Sequence, residues 1–225
     1  VFSLEMGAFQ LVERLLYARA RFDKSKVMKG FEPTKSDFLG IKRASEEIKD
    51  CKLFIDDTPG ISINELRAKA RRKKKEEDIK VIAIDYLQLM RSNSKQAQNS
   101  REREVAEISA GLKGLAKELD IPIIVLAQLN RGPESRVGSS GGGGKPRMSD
   151  LRESGSIEQD ADIIAFIYRD EVYNEDSPDK GIGEIIIGKH RNGEIGTDRL
   201  AFIGKYTRFE NLAPGFYEGR EFDDE

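Results

Sequence analysis

Apolar residues fall along this chain in two rhythms. Short, mostly apolar runs at 1–4, 53–55, 81–84, 121–127, 163–168 and 184–187 have the length of buried strands. Between them, apolar positions recur at three-and-four spacing. Residues 10–22 place Leu11, Leu15 and Ala18 on one helical face, and residues 101–120 line up Val105, Ile108, Leu112, Leu115 and Leu119. Residues 24–50 read as mostly helical and polar, with a break near Glu32-Pro33. The turn Asp57-Thr58-Pro59-Gly60 ends one strand, and Ser62-Ile63-Asn64-Glu65 is a capping box opening another helix. This strand–helix–strand order predicts an α/β fold with a mostly parallel central sheet flanked by helices. The later strands, among them 199–203 with its partner 206–209, follow short turns and predict an antiparallel C-terminal extension. No internal repeat is visible.

Two polar stretches interrupt the pattern. Residues 132–147 hold Ser139-Ser140 followed by four consecutive glycines at 141–144, and residues 92–99 lack periodicity. Both read as mobile loops, and both follow strands, where α/β proteins bind their ligands.

Composition narrows the class. The 225 residues suffice for one large α/β domain or two small ones. A net charge of −2 gives no global basic signature, so contact with nucleic acid has to come from local patches. The single cysteine, Cys51, cannot form an internal disulfide, which fits a reducing cytosol and a cytoplasmic location. No apolar run approaches the roughly 18 residues that span a bilayer, so no membrane is expected. The opening Val1-Phe2-Ser3-Leu4 reads as a strand entered midway, and the chain as a piece of a longer protein.

Candidate chemistry gathers at strand ends. Asp85 closes the run 81–84, where a carboxylate suits Mg²⁺ beside a nucleotide's phosphates. Glu5 follows the first strand, placed to polarise a water, and Gln128 follows 121–127, able to hydrogen-bond a phosphate. Three such groups at parallel strand ends converge on one edge of a sheet. Lys189 and Arg191 alternate with His190, so the two cations share one face and suit a phosphate group. An edge strand guarded by charge is the plainer account of that pair. The run Arg67 to Lys75 carries seven cations in nine residues, and reads as a solvated helix end with charge near the C-terminal dipole.

The densest polar segment is DLRESGSIEQDADII at 150–164. Arg152 and Ser154 offer donors for a phosphate oxygen, and Gly155 permits a turn with positive φ.

The strings SLEM, IDYLQLM, EISAGLKGLAKEL, LAQLNR, SDLRESGSIEQDADII, FIYRDEVY, GEIIIGKHRNG and YTRFEN resemble the motor domain of bacterial replicative DNA helicases of the DnaB family, over nearly the whole chain. The resemblance implies a RecA-like P-loop NTPase fold in a homohexameric ring. Such rings use ATP and Mg²⁺ to translocate on single-stranded DNA and unwind duplex at the replication fork. Glu5 then matches the catalytic glutamate, Arg14 an arginine that packs on adenine, Asp85 the Mg²⁺-side aspartate and Gln128 the γ-phosphate sensor. Lys189 and Arg191 match the pair reaching into the neighbouring subunit's site, with Arg191 as arginine finger. Arg152, Glu153 and Gly155 match the loop that grips the DNA backbone. Primase and a helicase loader are implied partners through regions outside this chain.

The phosphate-binding string G-x-x-x-x-G-K-[ST] is absent from these residues. In that family it lies one strand and one helix before SLEM. The expected organisation is therefore a motor domain at 1–215 lacking the P-loop strand and helix, then an acidic tail at 216–225, with the 225 residues inactive alone. The glycine-rich insertion at 137–144 is longer than expected for the family. A ring ATPase that is not a helicase, and a non-catalytic fragment, stay open on the residues alone.

Overall fold

The computed structural model describes residues 1–92, 94, 100–136, 144–151 and 155–213. It divides into two units, 1–131 with 148–161, and 132–147 with 162–225. The first holds β1 (Phe2–Ser3), α1 (Ala8–Ala20), α2 (Lys24–Met28), α3 (Lys35–Asp50), α4 (Ile63–Glu77), β2 (Ile82–Asp85), α5 (Arg101–Leu119), β3 (Ile123–Val125) and, after an excursion into the second, α7 (Gly155–Asp160). The second holds α6 (Gly132–Ser135), β4 (Ile163–Tyr168), β5 (Ile182–His190), β6 (Gly196–Ile203) and β7 (Arg208–Glu210).

In the first unit, β1, β2 and β3 form a parallel sheet in that order, with Ser3 level with Asp85 and Ile84 level with Val125. Ile82 and Ile84 are buried, and the α5 stripe packs Val105, Ile108, Leu112 and Leu115 into the same core, while Leu119 lies partly buried beside it. Helix α4 contributes Ile63 and Leu66. It crosses α5 so closely at Gly111 that a Cβ there would stand 2.6 Å from Ile63 Cγ1. The capping box is present: Ser62 accepts the Glu65 amide hydrogen, and the Glu65 carboxylate returns to Ser62 N–H. The cations of α4 are largely engaged. Lys69 pairs with Asp56, Arg71 with Glu118 and Lys74 with Asp78, and the Lys73 ammonium lies 4.4 Å from the Phe54 ring centre.

Three expectations shift. Residues 53–55 are extended but form no strand; one isolated bridge, Asp56 to Phe2, links this segment to β1. The expected helix 10–22 runs from Ala8 to Ala20 and buries none of its residues, with Leu15 39% exposed. Gly155 is the first residue of α7 and does not have positive φ; a Cβ there would meet nothing within 4 Å among the described residues.

In the second unit, β4, β5, β6 and β7 form an antiparallel sheet of their own, so the antiparallel part begins at the apolar run 163–168. Burial alternates along β4: Ile164, Phe166 and Tyr168 are buried, while Ile163 and Ile167 are exposed. An apolar run does not disclose strand direction, and period-two burial is the signature of a sheet with one covered face. Residues 132–135, expected in a loop, form α6, and Arg136 donates to the Lys145 carbonyl at 3.0 Å. The rest of the two expected loops, 93, 95–99 and 137–143, lies outside the described residues, as do Arg152, Glu153 and the tail at 216–225.

Candidate nucleotide site at the sheet's C-terminal edge

The parallel sheet gathers Glu5, Asp85 and Gln128. Asp85 is the last residue of β2, Glu5 follows β1 by two residues and Gln128 follows β3 by three. Adjacent strands lie about 4.8 Å apart, so the three chain exits span roughly 10 Å. All three leave the sheet at the same end, where open α/β sheets bind ligands.

Main-chain bonds hold these exits in place. Leu4 N–H donates to the Asp85 carbonyl at 2.7 Å, Leu126 N–H to Ile84 at 2.9 Å, and Leu87 N–H to Leu126 at 2.9 Å. The Glu5 segment is tied down twice more. Ser3 Oγ donates to the Met6 carbonyl at 2.7 Å, and the Asp57 carboxylate accepts Ala8 N–H at 2.9 Å, capping α1 from far along the chain. The neighbouring Asp56 accepts from Lys69 Nζ at 2.6 Å and from Thr58 N–H at 3.1 Å. Burial alone would raise the Asp56 carboxyl; the Lys69 and Thr58 bonds outweigh it, and its pKa lies below the ordinary value.

The side chains at this edge contrast with their backbone. Among the described residues, Glu5, Asp85 and Gln128 make no side-chain hydrogen bond or ion pair, and Glu5 and Gln128 are exposed. Nor do three His, Cys, Asp or Glu side chains cluster anywhere among the described residues. One half-buried carboxylate at a strand end fits Mg²⁺, which keeps most of its waters and takes one or two protein oxygens. Arg14 is exposed on α1.

In the second unit, Lys189 lies within β5, level with Ile164, and Arg191 follows the strand. Arg191 N–H donates to the Asp162 carbonyl at 2.8 Å, and its guanidinium lies 3.4 Å from the Asp162 carboxylate. The pair therefore sits on a paired strand end, and Arg191 is engaged with a carboxylate. His190 is exposed, with its ring against Gly193.

Sequence reasoning missed Asp57 and Gln88. Asp57 was visible only as a turn residue. Gln88 lies inside the string IDYLQLM, in the 3₁₀ turn Leu87–Leu89, but nothing local marks it as bonding to a residue 40 positions away.

A parallel sheet that brings acidic and amide residues to its C-terminal edge is an α/β arrangement of the kind that binds ligands at that edge. The chain belongs to the DnaB-like helicase C terminal domain family, whose model matches residues 1–211. It is 47% identical over 220 residues to the replicative DNA helicase DnaB of Geobacillus stearothermophilus, covering 98% of this chain and 47% of that protein. With the DnaB helicase of Pasteurella multocida it shares 51% over 215 residues, 95% of this chain and 44% of the relative. The chain thus spans about half the length of the curated relatives it matches. Among solved structures, the ATPase domain of G40P superposes with a TM-score of 0.84 at 39% identity, covering 94% of this chain and 73% of that one. A DnaB-like replicative helicase, solved in a study of its interactions with primase, gives 0.85 at 40% identity, covering 94% and 50%.

Proposed function

We propose that residues 1–215 supply the motor of an ATP-dependent replicative DNA helicase, with 216–225 an acidic tail. In this reading the intact protein forms a homohexameric ring in the cytoplasm, translocates on single-stranded DNA and unwinds duplex at the fork. Primase and a loader are its partners through other regions. The observation that carries the proposal is the edge of the parallel sheet. In a chain of this family, three side chains suited to phosphoryl transfer leave adjacent strands together and make no structural bond among the described residues.

Bound Mg-ATP brings the phosphoryl group whose charge and attacking water these residues meet. Asp85 would hold the Mg²⁺, which would neutralise charge on the phosphates. Glu5, exposed two residues past β1, orients the attacking water and takes its proton. Gln128 hydrogen-bonds the γ-phosphate, and Arg14 packs against the adenine. Lys189 and Arg191 of one subunit stabilise charge in the neighbour's site, Arg191 as arginine finger. Its Asp162 contact, with side chains 48% and 56% exposed, is weak enough to exchange for a phosphate. Arg152, Glu153 and Gly155 contact the DNA backbone, so translocation is indifferent to sequence.

The phosphate-binding loop is not among residues 1–225, so the test belongs in the intact protein. Arg191→Ala lowers ATP hydrolysis by roughly 10³-fold or more with nucleotide binding largely kept. Glu5→Gln rings are likewise slow. Mixing the two kinds of subunit restores activity, because some interfaces then pair an intact Glu5 with an intact Arg191. Mixed rings that stay inactive at every ratio refute the trans assignment.

A further inference from the structure

Three residues beyond Asp85, the Gln88 side chain crosses to the segment after β3. Its Nε2 donates to the Gln128 carbonyl at 3.1 Å, and its Oε1 accepts Gln128 N–H at 3.1 Å. One carboxamide thus satisfies both main-chain groups of one residue, as a neighbouring strand would. Leu126 is the last residue here with main-chain bonds to the β2 side, and Asn130 N–H bonds instead to the Asp150 carbonyl at 3.0 Å. Between them, the hydrogen bonds to the main chain among the described residues are the two from Gln88.

The turn carrying Gln88 is itself braced. Arg101, at the start of α5, donates to the Gln88 carbonyl at 2.7 Å. Arg101 also pairs with Glu104, whose carboxylate accepts Ser92 N–H at 3.0 Å. Gln88 is therefore held by its own backbone and holds Gln128 by its side chain. Because Gln128 is exposed, water replaces the lost bonds at little cost in stability. What water does not replace is the placement of the residue.

We infer that Gln88 is a positioning residue for Gln128: it fixes the main chain from which the Gln128 side chain reaches the phosphate, and sets turnover without touching the nucleotide. This rests on the phosphate-sensing role proposed for Gln128. A displacement of about 1 Å at a reacting group costs on the order of 10²-fold in rate, which is the scale at stake.

The test uses Gln88→Ala, Gln128→Ala and the double variant in the intact protein, with Mg-ATP as substrate. Gln88→Ala lowers kcat by roughly 10- to 100-fold and changes KM by less than about threefold. Adding it to Gln128→Ala lowers kcat no further, since the two act through one group. Hydrogen exchange at the Gln128 amide accelerates in Gln88→Ala. Gln88→Met, which keeps the volume and loses both bonds, gives the same readouts if the alanine variant folds poorly. Full activity in Gln88→Ala beside a slow Gln128→Ala overturns the inference and leaves the sensor intact. So does an equal loss in both backgrounds, or unchanged exchange at Gln128. Full activity in Gln128→Ala removes the sensor role and the inference with it.

Discussion

The edge of the parallel sheet and the interior of the antiparallel unit treat charge in opposite ways. At the edge, Glu5, Asp85 and Gln128 are held by backbone and left without side-chain partners among the described residues. In the second unit, charged side chains are paired with one another, although the buried Arg199 Nε and Glu184 Oε2 atoms have ionic contacts without a hydrogen bond among the described residues. Arg199 lies 2.5 Å from Asp179 and 4.0 Å from Glu184, and Glu184 in turn lies 2.7 Å from Lys145. Glu171 accepts Gly181 N–H at 2.9 Å and pairs with Arg169 at 2.7 Å; these contacts hold its carboxyl below the ordinary range. Burial, reinforced by the bond to Asp170, pushes the Tyr168 hydroxyl well above its usual pKa. Unengaged groups on a fixed frame are the arrangement that the proposed nucleotide site requires. Paired groups mark structure.

That contrast breaks first under Arg199→Met. The substitution leaves Asp179 and Glu184 without the guanidinium between them, and costs about 3 kcal/mol, as for other mostly buried pairs that lose one member. Glu5→Gln and Gln128→Ala, by contrast, stay within about 0.5 kcal/mol of the parent. Urea unfolding followed by circular dichroism measures both; an equal cost at the two places erases the distinction.

Asp56 sharpens the comparison, because it behaves like the second unit while buttressing the first. Asp56→Asn costs about 1 kcal/mol at neutral pH. Its folded pKa lies below the ordinary Asp value of about 3.9, so the unfolded chain takes up this proton first as pH falls. The stabilisation is whole above that ordinary value and is lost as pH drops through the folded one. Stability measured from pH 6 down to pH 2 is accordingly flatter in the variant. An undiminished slope assigns the acid sensitivity elsewhere.

A small effect is expected at Gly155→Ala. Helix position, negative φ and the absence of any atom of the described residues within 4 Å of a Cβ there all admit alanine, so stability changes by less than about 1 kcal/mol. If DNA approaches this backbone closely, single-strand affinity falls although stability does not. Unchanged affinity on poly-dT removes Gly155 from the DNA contact.

Features written in adjacent residues were legible in the sequence. The Ser62–Glu65 box needs one helical turn of context and the 105–119 stripe only its own helix, and both are present, with Leu119 partly buried. The acid at the end of 81–84 was legible because a strand and its last residue are neighbours. What escaped depends on contacts between distant segments. Asp57 reaches Ala8 across 49 positions and Gln88 reaches Gln128 across 40. Direction escaped as well, since the run 163–168 looks the same in a parallel or an antiparallel sheet until its partner is known. The residues 53–55 failed as a strand for a related reason: apolar content was present, but only one bridge to β1 forms.

The hydrogen bond from Arg136 to the Lys145 carbonyl bears on how this family tolerates change in length. Lys145 is anchored to Glu184, and the bond joins the two ends of the glycine-rich stretch regardless of how many residues lie between them. Closing a chain segment whose ends are already joined costs only about 0.6 kcal/mol more each time its length doubles. Insertions and deletions here are then nearly invisible to folding. A tag or reporter inserted there is expected to leave the stability of the second unit nearly unchanged.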